Sequence, residues 1–366
     1  MEILPKTLGT RPRLAVEVRA EGVVAARAED AAALVTAVAR ADVAEGAVTP
    51  GLKMGNIADK TAVTAAVRKV LDGIAGSGRE RLRDVTVVVP DSAARVLFVD
   101  FDQLPAKASE ALPVVRFRLK KLLPFDVDDA MVSYQVMSSG KNSIRLLAVA
   151  MPKAVLEEYE SVVLAAGYLP GAVLPSTLAA LAGLEETDAA VLMVNAGQGT
   201  LTTAIVQAGV LLLHRSVDMS AGGGTPLEVK SVVPVVDRES TVQEWAQQEA
   251  LGPGGWDRFD AEAAMQTSVV ETAVLREVGS RVAGRDVAQA VSVAAAYFED
   301  SLQRSPEQLL AAGTLGAEMV SAMMEENGVE GLRVREMVDA GMMQAGAVTS
   351  SVPRGWLAGV RGALRN

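Results

Sequence analysis

The chain has 366 residues and a net charge of −10, and it is 50% apolar but only 4% aromatic. That length allows two or three domains around an aliphatic core, and the acidic balance argues against nucleic acid or an anionic membrane surface as a nonspecific partner. There is no Cys and a single His, His214, which excludes disulfides, thiolate ligands, Cys nucleophiles and multi-His metal centres.

The opening Met-Glu-Ile-Leu-Pro-Lys lacks the basic and apolar blocks of a signal peptide. No apolar run approaches the roughly 18 residues of a membrane span. The expectation is a cytoplasmic protein with no direct membrane insertion. Residues 14–27 read as two short strands around the turn Arg19-Ala-Glu-Gly22. Residues 29–40 fit strand or helix, and their Ala content favours helix. Asp59 is placed to cap a helix over 60–75, with Val63, Val67, Val70 and Leu71 on one face. The β-branched run that starts at Asp84 fits a strand buried on both faces, and Arg95–Phe101 fits another strand. A helix is expected over 106–123, interrupted or started at Pro113.

Residues 131–137 and 143–151 read as a strand pair. Residues 152–166 form a helix closed by Gly167, and 175–184 a second one with Ser176 as its N-cap candidate. A second hairpin spans 190–207. Residues 220–224 and 252–255 are the most linker-like stretches. Helical patterns follow over roughly 260–280 and 285–303. A strand is expected at 308–312 and a helix over 318–327, stopped by Gly328. In the last helix, 355–365, Trp356, Val360, Ala363 and Leu364 share one side. Strands and helices alternate in both halves, which predicts an α/β fold.

The two hairpins, Arg13–Arg27 and Ala190–Gln207, are similar to each other. Each sets apolar runs around a Gly-containing turn, with Glu17 or Asn195 just before it. Two such hairpins suggest two similar domains facing a cleft, the plan of actin-like and hexokinase-like nucleotide-binding proteins.

From Asp84 to Ala180 the order of segments is Val-Val-Val-Pro-Asp-Ser, Phe-Asp-Gln-Leu-Pro, Val-Arg-Phe-Arg-Leu-Lys-Lys-Leu-Leu-Pro-Phe-Asp, Tyr-Gln-Val-Met and Leu-Pro-Ser-Thr-Leu-Ala. This order resembles the PilM family, the cytoplasmic actin-like component of type IV pilus assembly, related to the cell-division protein FtsA. The resemblance covers most of 1–220 and about 305–366, and is weak over 221–285. It implies a two-domain actin-like fold with inserted small subdomains. Domain 1 would span 1–187 plus 350–366, with an insertion over about 84–159. Domain 2 would span 188–349, with an insertion over about 220–303. It also implies a scaffold that grips the cytoplasmic tail of a PilN-like bitopic inner-membrane protein, works in a homo-oligomeric ring, and sits peripherally at the membrane through its partner.

The resemblance further implies a site for ATP and Mg at Glu17, Gly22, Asn195, Gly197, Gly199, Thr200, Gly313 and Gly316. Phosphate loops need small residues so that backbone N–H groups can approach. Here Glu17 stands at the family's Asp position and Arg19 at a Gly position, while Asn195 replaces a second carboxylate and Thr314 replaces one Gly of a pair. A bulky Arg blocks close approach, although its guanidinium can itself hold phosphate oxygens. Tight hairpins need Gly whatever they bind. The expectation leans against ATP hydrolysis. The alternatives are an active ATPase or small-molecule kinase of the same superfamily, with Asp218 the nearest carboxylate, and a type II secretion cytoplasmic domain of the same fold.

For the tail, the expected contacts are Arg116, Phe117, Leu119, Phe125 and Tyr134. The basic run Arg116–Lys121 is either a docking face or a solvated surface above Val115, Leu119 and Leu122. The final helix is expected to pack on domain 1 and not on a membrane. His214 reads as a strand-end or core residue, and the Met cluster at 319–343 as helix packing.

Overall fold

The computed structural model describes residues 11–76, 82–140, 143–185, 187–197, 199–219, 268–347 and 352–365, without the side chains of 268–283. The linker-like stretches and most of the weakly matched segment lie outside the described residues. The chain divides into a main unit, Met1–Met219 with Ala283–Asn366, and a second, Ser220–Val282. Among the described residues, the main unit carries three sheets.

The first sheet has the order β3-β2-β1-β4-β8, built from β1 (Leu14–Arg19), β2 (Gly22–Ala28), β3 (Val35–Asp42), β4 (Asp84–Val89) and β8 (Leu169–Pro175). The second has the order β11-β10-β9-β12-β13, from β9 (Val191–Ala196), β10 (Thr200–Gln207), β11 (Val210–Asp218), β12 (Gln308–Gly313) and β13 (Arg333–Glu336). In each, an antiparallel three-strand meander continues into two parallel strands. These two sheets are therefore topological copies, as the paired hairpins suggested. A smaller antiparallel sheet, β5-β7-β6, comprises β5 (Arg95–Phe101), β6 (Ala130–Ser139) and β7 (Ile144–Pro152).

Helix α1 (Lys60–Ile74) starts where expected, because Asp59 accepts a hydrogen bond from the Ala62 amide. Its face of Val63, Val67, Val70 and Leu71 packs on the first sheet together with Val155, Tyr159, Val162 and Val163 of α3 (Lys153–Ala165). Each such fully buried aliphatic side chain contributes about 1.5–3 kcal/mol. Gly167 follows α3 with φ +93°, the left-handed conformation of a helix stop. The second sheet packs on α6 (Gly316–Glu326) and on the described part of α5 (Ser268–Leu302). A third core joins both large sheets to α4 (Ser176–Ala182) and α7 (Leu357–Leu364).

Three expectations need correction. Residues 35–42 form strand β3, not helix. Pairing with β2 decides this over Ala propensity, and the small side chains let α1 come close, with a Cβ on Gly73 reaching within 3.7 Å of Ala39. The small sheet spans 95–152 rather than 84–159, because β4 is central in the first sheet and α3 packs beside α1. Helix α5 falls within the helical region expected over 260–303, of which 260–267 lie outside the described residues. Helix α2 (Ala108–Leu119) runs through Pro113 rather than starting at it.

The last helix is buried along its whole length, as its apolar face implied. Its glycines are contact surfaces. A Cβ on Gly362 would stand 1.8 Å from the Ala179 carbonyl, and one on Gly359 2.6 Å from Glu17 Oε2. Only Gly admits α7 this close to α4 and β1.

Candidate functional site

The turns of the two hairpins face each other across a cleft of about 40 Å³. Arg19, Ala20, Glu21, Pro50, Pro90 and Asp91 line it on one side, with Ser176, Asn195, Gly197 and Thr200 completing it. On the first-sheet side, Glu17 and Arg19 lie two apart on β1, so the strand's alternation turns both to one face. The Arg19 Nη2 atom is 2.7 Å from Glu17 Oε1 and donates to Ser176 Oγ at 3.0 Å. Burial raises the Glu17 carboxyl above its ordinary range. The Arg19 charge opposes this, as does the closeness of Ser176, and nearby Asp91 adds to it.

Asp91 stands just beyond β4 and is 6% exposed. Its Oδ1 accepts the Thr177 amide at 2.9 Å, at the start of α4. Its Oδ2 accepts the Thr177 hydroxyl, the Thr202 hydroxyl at 2.9 Å and the Asn195 amide at 3.4 Å. Asn195 Nδ2 also reaches Ser176 Oγ at 2.9 Å and Thr177 Oγ1 at 3.0 Å. Ser176 is thus a site residue and not the helix cap expected of it, since α4 has no side-chain cap. At the mouth, Thr314 donates to Glu21 Oε1 at 2.9 Å. Thr202 shares a further 2.9 Å hydrogen bond with Ser216 on β11. His214 lies on the same strand, and burial pushes its imidazole pKa down, opposed by Asp91.

Of the eight residues expected around ATP, Asn195, Gly197 and Thr200 line the cleft. Glu17 lies fully buried beneath it. Gly22 faces away, since a Cβ there would meet the Ala41 carbonyl at 2.7 Å. Gly199 makes the second turn at φ +87°. Gly313 lets β12 pass the Ala196 carbonyl, which a Cβ would approach to 2.2 Å. Gly316 opens α6 beside Glu336, whose Oε1 accepts the Ala317 amide. The expected set missed Glu21, Asp91, Ser176, Thr177 and Thr202. The findable signal was Asp91, a carboxylate at the carboxyl end of a buried parallel strand, where α/β sheets place their ligands.

The described residues fit ATP and Mg poorly. Ligand pockets of drug size need roughly 300–1,000 Å³, and this cleft has room for only a few waters. Two carboxylates, Glu21 and Asp91, line the cleft, and the single cation among its lining residues, Arg19, is already paired with Glu17. No group of three or more His, Cys, Asp or Glu that could hold a metal ion occurs among the described residues.

The expected tail contacts lie in and around α2, on the small sheet. Phe117 is 73% exposed, whereas Leu119 is fully buried with Val115, Val99 and Leu146. Leu119 is therefore core and is withheld from any partner. Arg116 serves the subdomain itself, donating to the Ala130 carbonyl at 3.1 Å and to that of Val127. Phe125 and Tyr134 are half-buried, Tyr134 against the small core. No described helix is long and apolar enough to cross a membrane.

Two topologically equivalent sheets joined across a cleft by a common core make this an actin-like fold. No family model and no curated protein matches the chain. Solved structures do, and one of them is the PilM-PilN type IV pilus biogenesis complex, with a TM-score of 0.66 at 15% identity over 97% of this chain and 99% of that one. The likeness to PilM read from the sequence thus extends to the fold of nearly the whole chain. A further match is the ethanolamine utilization protein EutJ from Carboxydothermus hydrogenoformans, with a TM-score of 0.43 at 12% identity over 99% of this chain and 91% of that one. Another is the cytoplasmic domain of EpsL, an inner membrane component of the Vibrio cholerae type II secretion system. Its TM-score is 0.37 at 16% identity, over 56% of this chain and 71% of that one.

Proposed function

We propose that this chain is a scaffold of a type IV pilus or related secretion machine, and that it works by binding the cytoplasmic tail of a PilN-like inner-membrane protein. In this reading it is held at the membrane by that partner, assembles in a ring, and does not turn over ATP. The observation that carries the reading is the cleft itself. In an actin-like fold matching a PilM-PilN complex over 97% of this chain, a side-chain network bridges the two sheets across the cleft where this reading puts the nucleotide. A fold that keeps its architecture while filling its cofactor site retains its surfaces as its means of action.

For the tail we retain Phe117, Phe125 and Tyr134 as contacts. Exposure of Phe117 in a folded subdomain supports its choice, because a large aromatic left at a surface carries binding energy out of proportion to its area. The test titrates a fluorescent PilN-type tail peptide, and separately Mg-ATP, into the purified chain. Saturable peptide binding that weakens at least tenfold in Phe117→Ser, with no detectable Mg-ATP binding, is expected. Tight Mg-ATP binding or turnover would overturn the closed-cleft part of the reading, and absent peptide binding would overturn the scaffold part.

A further inference from the structure

Five hydrogen bonds cross from one large sheet's side of the cleft to the other. Thr202 and Asn195 donate to Asp91, Asn195 also donates to Ser176 and Thr177, and Thr314 donates to Glu21. Asp91 is the hub of this set. It is anchored to the first-sheet side by two bonds from Thr177 and receives two donors from the second-sheet side. A carboxylate offers about four acceptor sites and no donor when ionised. All four of its contacts here come from donors, one on Oδ1 and three on Oδ2, in a place almost closed to solvent. Charge-assisted bonds of this kind are roughly twice as strong as neutral ones, and low local polarity strengthens them further.

Two-lobed folds of this type close by hinge motion around a ligand that both lobes hold. We propose that Asp91 is a built-in latch that takes the ligand's place, so that closure of the two lobes is a property of the chain and needs no bound molecule. The second hairpin carries the neutral Asn195, and the charge that both halves share stands across the cleft on Asp91. This deepens the proposed closed cleft by naming what closes it, and it can fail separately from that reading.

The test uses the full chain without nucleotide, and follows hydrogen exchange together with small-angle scattering in Asp91→Asn. The substitution keeps the shape of the side chain but turns one acceptor into a donor facing the Thr202 and Asn195 donors. At least tenfold faster exchange is expected across 195–202 and the amides around Glu21, with an increased radius of gyration and unchanged exchange in α1, which is remote from the cleft. Unchanged exchange at both hairpins would overturn the latch. Should Asp91→Asn not fold, Thr202→Val removes one cross-cleft donor at equal volume. A rise of about threefold or more confined to the hairpins is then expected, and exchange equal to wild type would overturn the proposal. Mg-ATP binding by the wild type would sink the closed-cleft reading, and leaves this nucleotide-free comparison to judge the latch by itself.

Discussion

Arg19 Nη2 lies 2.7 Å from Glu17 Oε1 on the same face of β1, and neither side chain reaches solvent to any useful extent. A charge pair of this kind is worth little against a well-packed apolar pair, but removing one member strands the other. Arg19→Met should therefore cost about 3–5 kcal/mol of stability. The double variant Glu17→Gln with Arg19→Met should recover a large part of that loss, since no buried charge then remains unpaired. Urea unfolding of the three chains reads both effects. An Arg19→Met chain within about 1 kcal/mol of wild type would show that the pair is not coupled as its geometry implies.

The same carboxyl sets a pH dependence. Burial raises Glu17 above its ordinary value of 4.5, with Asp91 adding to burial and Arg19 and Ser176 opposing it. A folded pKa above the unfolded one means that the folded chain binds the extra proton. The group's contribution to stability is then fully present below the unfolded value and is lost as pH rises through the folded one. Glu17→Gln carries no such titration. Its stability relative to wild type should improve as pH rises from about 4.5, whatever constant offset the unpaired Arg19 adds. Urea midpoints of both chains at stepped pH give the comparison, and a difference that stays flat with pH rejects it.

Restoring the carboxylate expected at position 195 should harm the protein. Asn195 Nδ2 donates toward Asp91 Oδ2, Ser176 Oγ and Thr177 Oγ1. In Asn195→Asp an acceptor replaces that donor, and a second negative charge faces Asp91 in a nearly closed space. The expected loss is about 3–5 kcal/mol, without any gain of Mg-ATP affinity. Thermal unfolding and calorimetric titration of the one variant decide both halves of the prediction.

Much of this architecture could be read along the chain, for reasons that particular residues make plain. The strand at Asp84–Val89 is legible because β-branched residues fill Val85–Val89, all of them buried. Helix α1 is legible because Asp59 and the Val63–Val67–Val70–Leu71 face give both a start and a period. Strand β3 is not, because its alanines are chosen by the distance to α1 and not by any local preference. The cleft divides in the same way. Asn195, Gly197 and Thr200 announce themselves as a turn, whereas Asp91, Thr177 and Thr202 meet only through tertiary pairing of separate segments. Leu119 shows the limit of reading a basic helix as a surface, since its neighbours Phe117 and Arg118 are exposed while its own position turns into the small core.

The C-terminal helix supplies the sharpest steric prediction. At Gly362 an added Cβ would lie 1.8 Å from the Ala179 carbonyl oxygen and 2.9 Å from the Gly183 amide nitrogen, both backbone atoms that cannot rotate away. In a free helix, Gly→Ala would be favourable by roughly 1 kcal/mol. Here the clash must push α7 off α4, so Gly362→Ala should destabilise by about 1–3 kcal/mol or more. Gly51→Ala is the control, because its added Cβ meets nothing within 4 Å and its φ is not in the left-handed region. That substitution should leave stability within about 0.5 kcal/mol of wild type. Unfolding midpoints for the two variants should therefore separate clearly. Equal midpoints would mean that α7 can shift without cost, and that its glycines are there for some reason other than close packing.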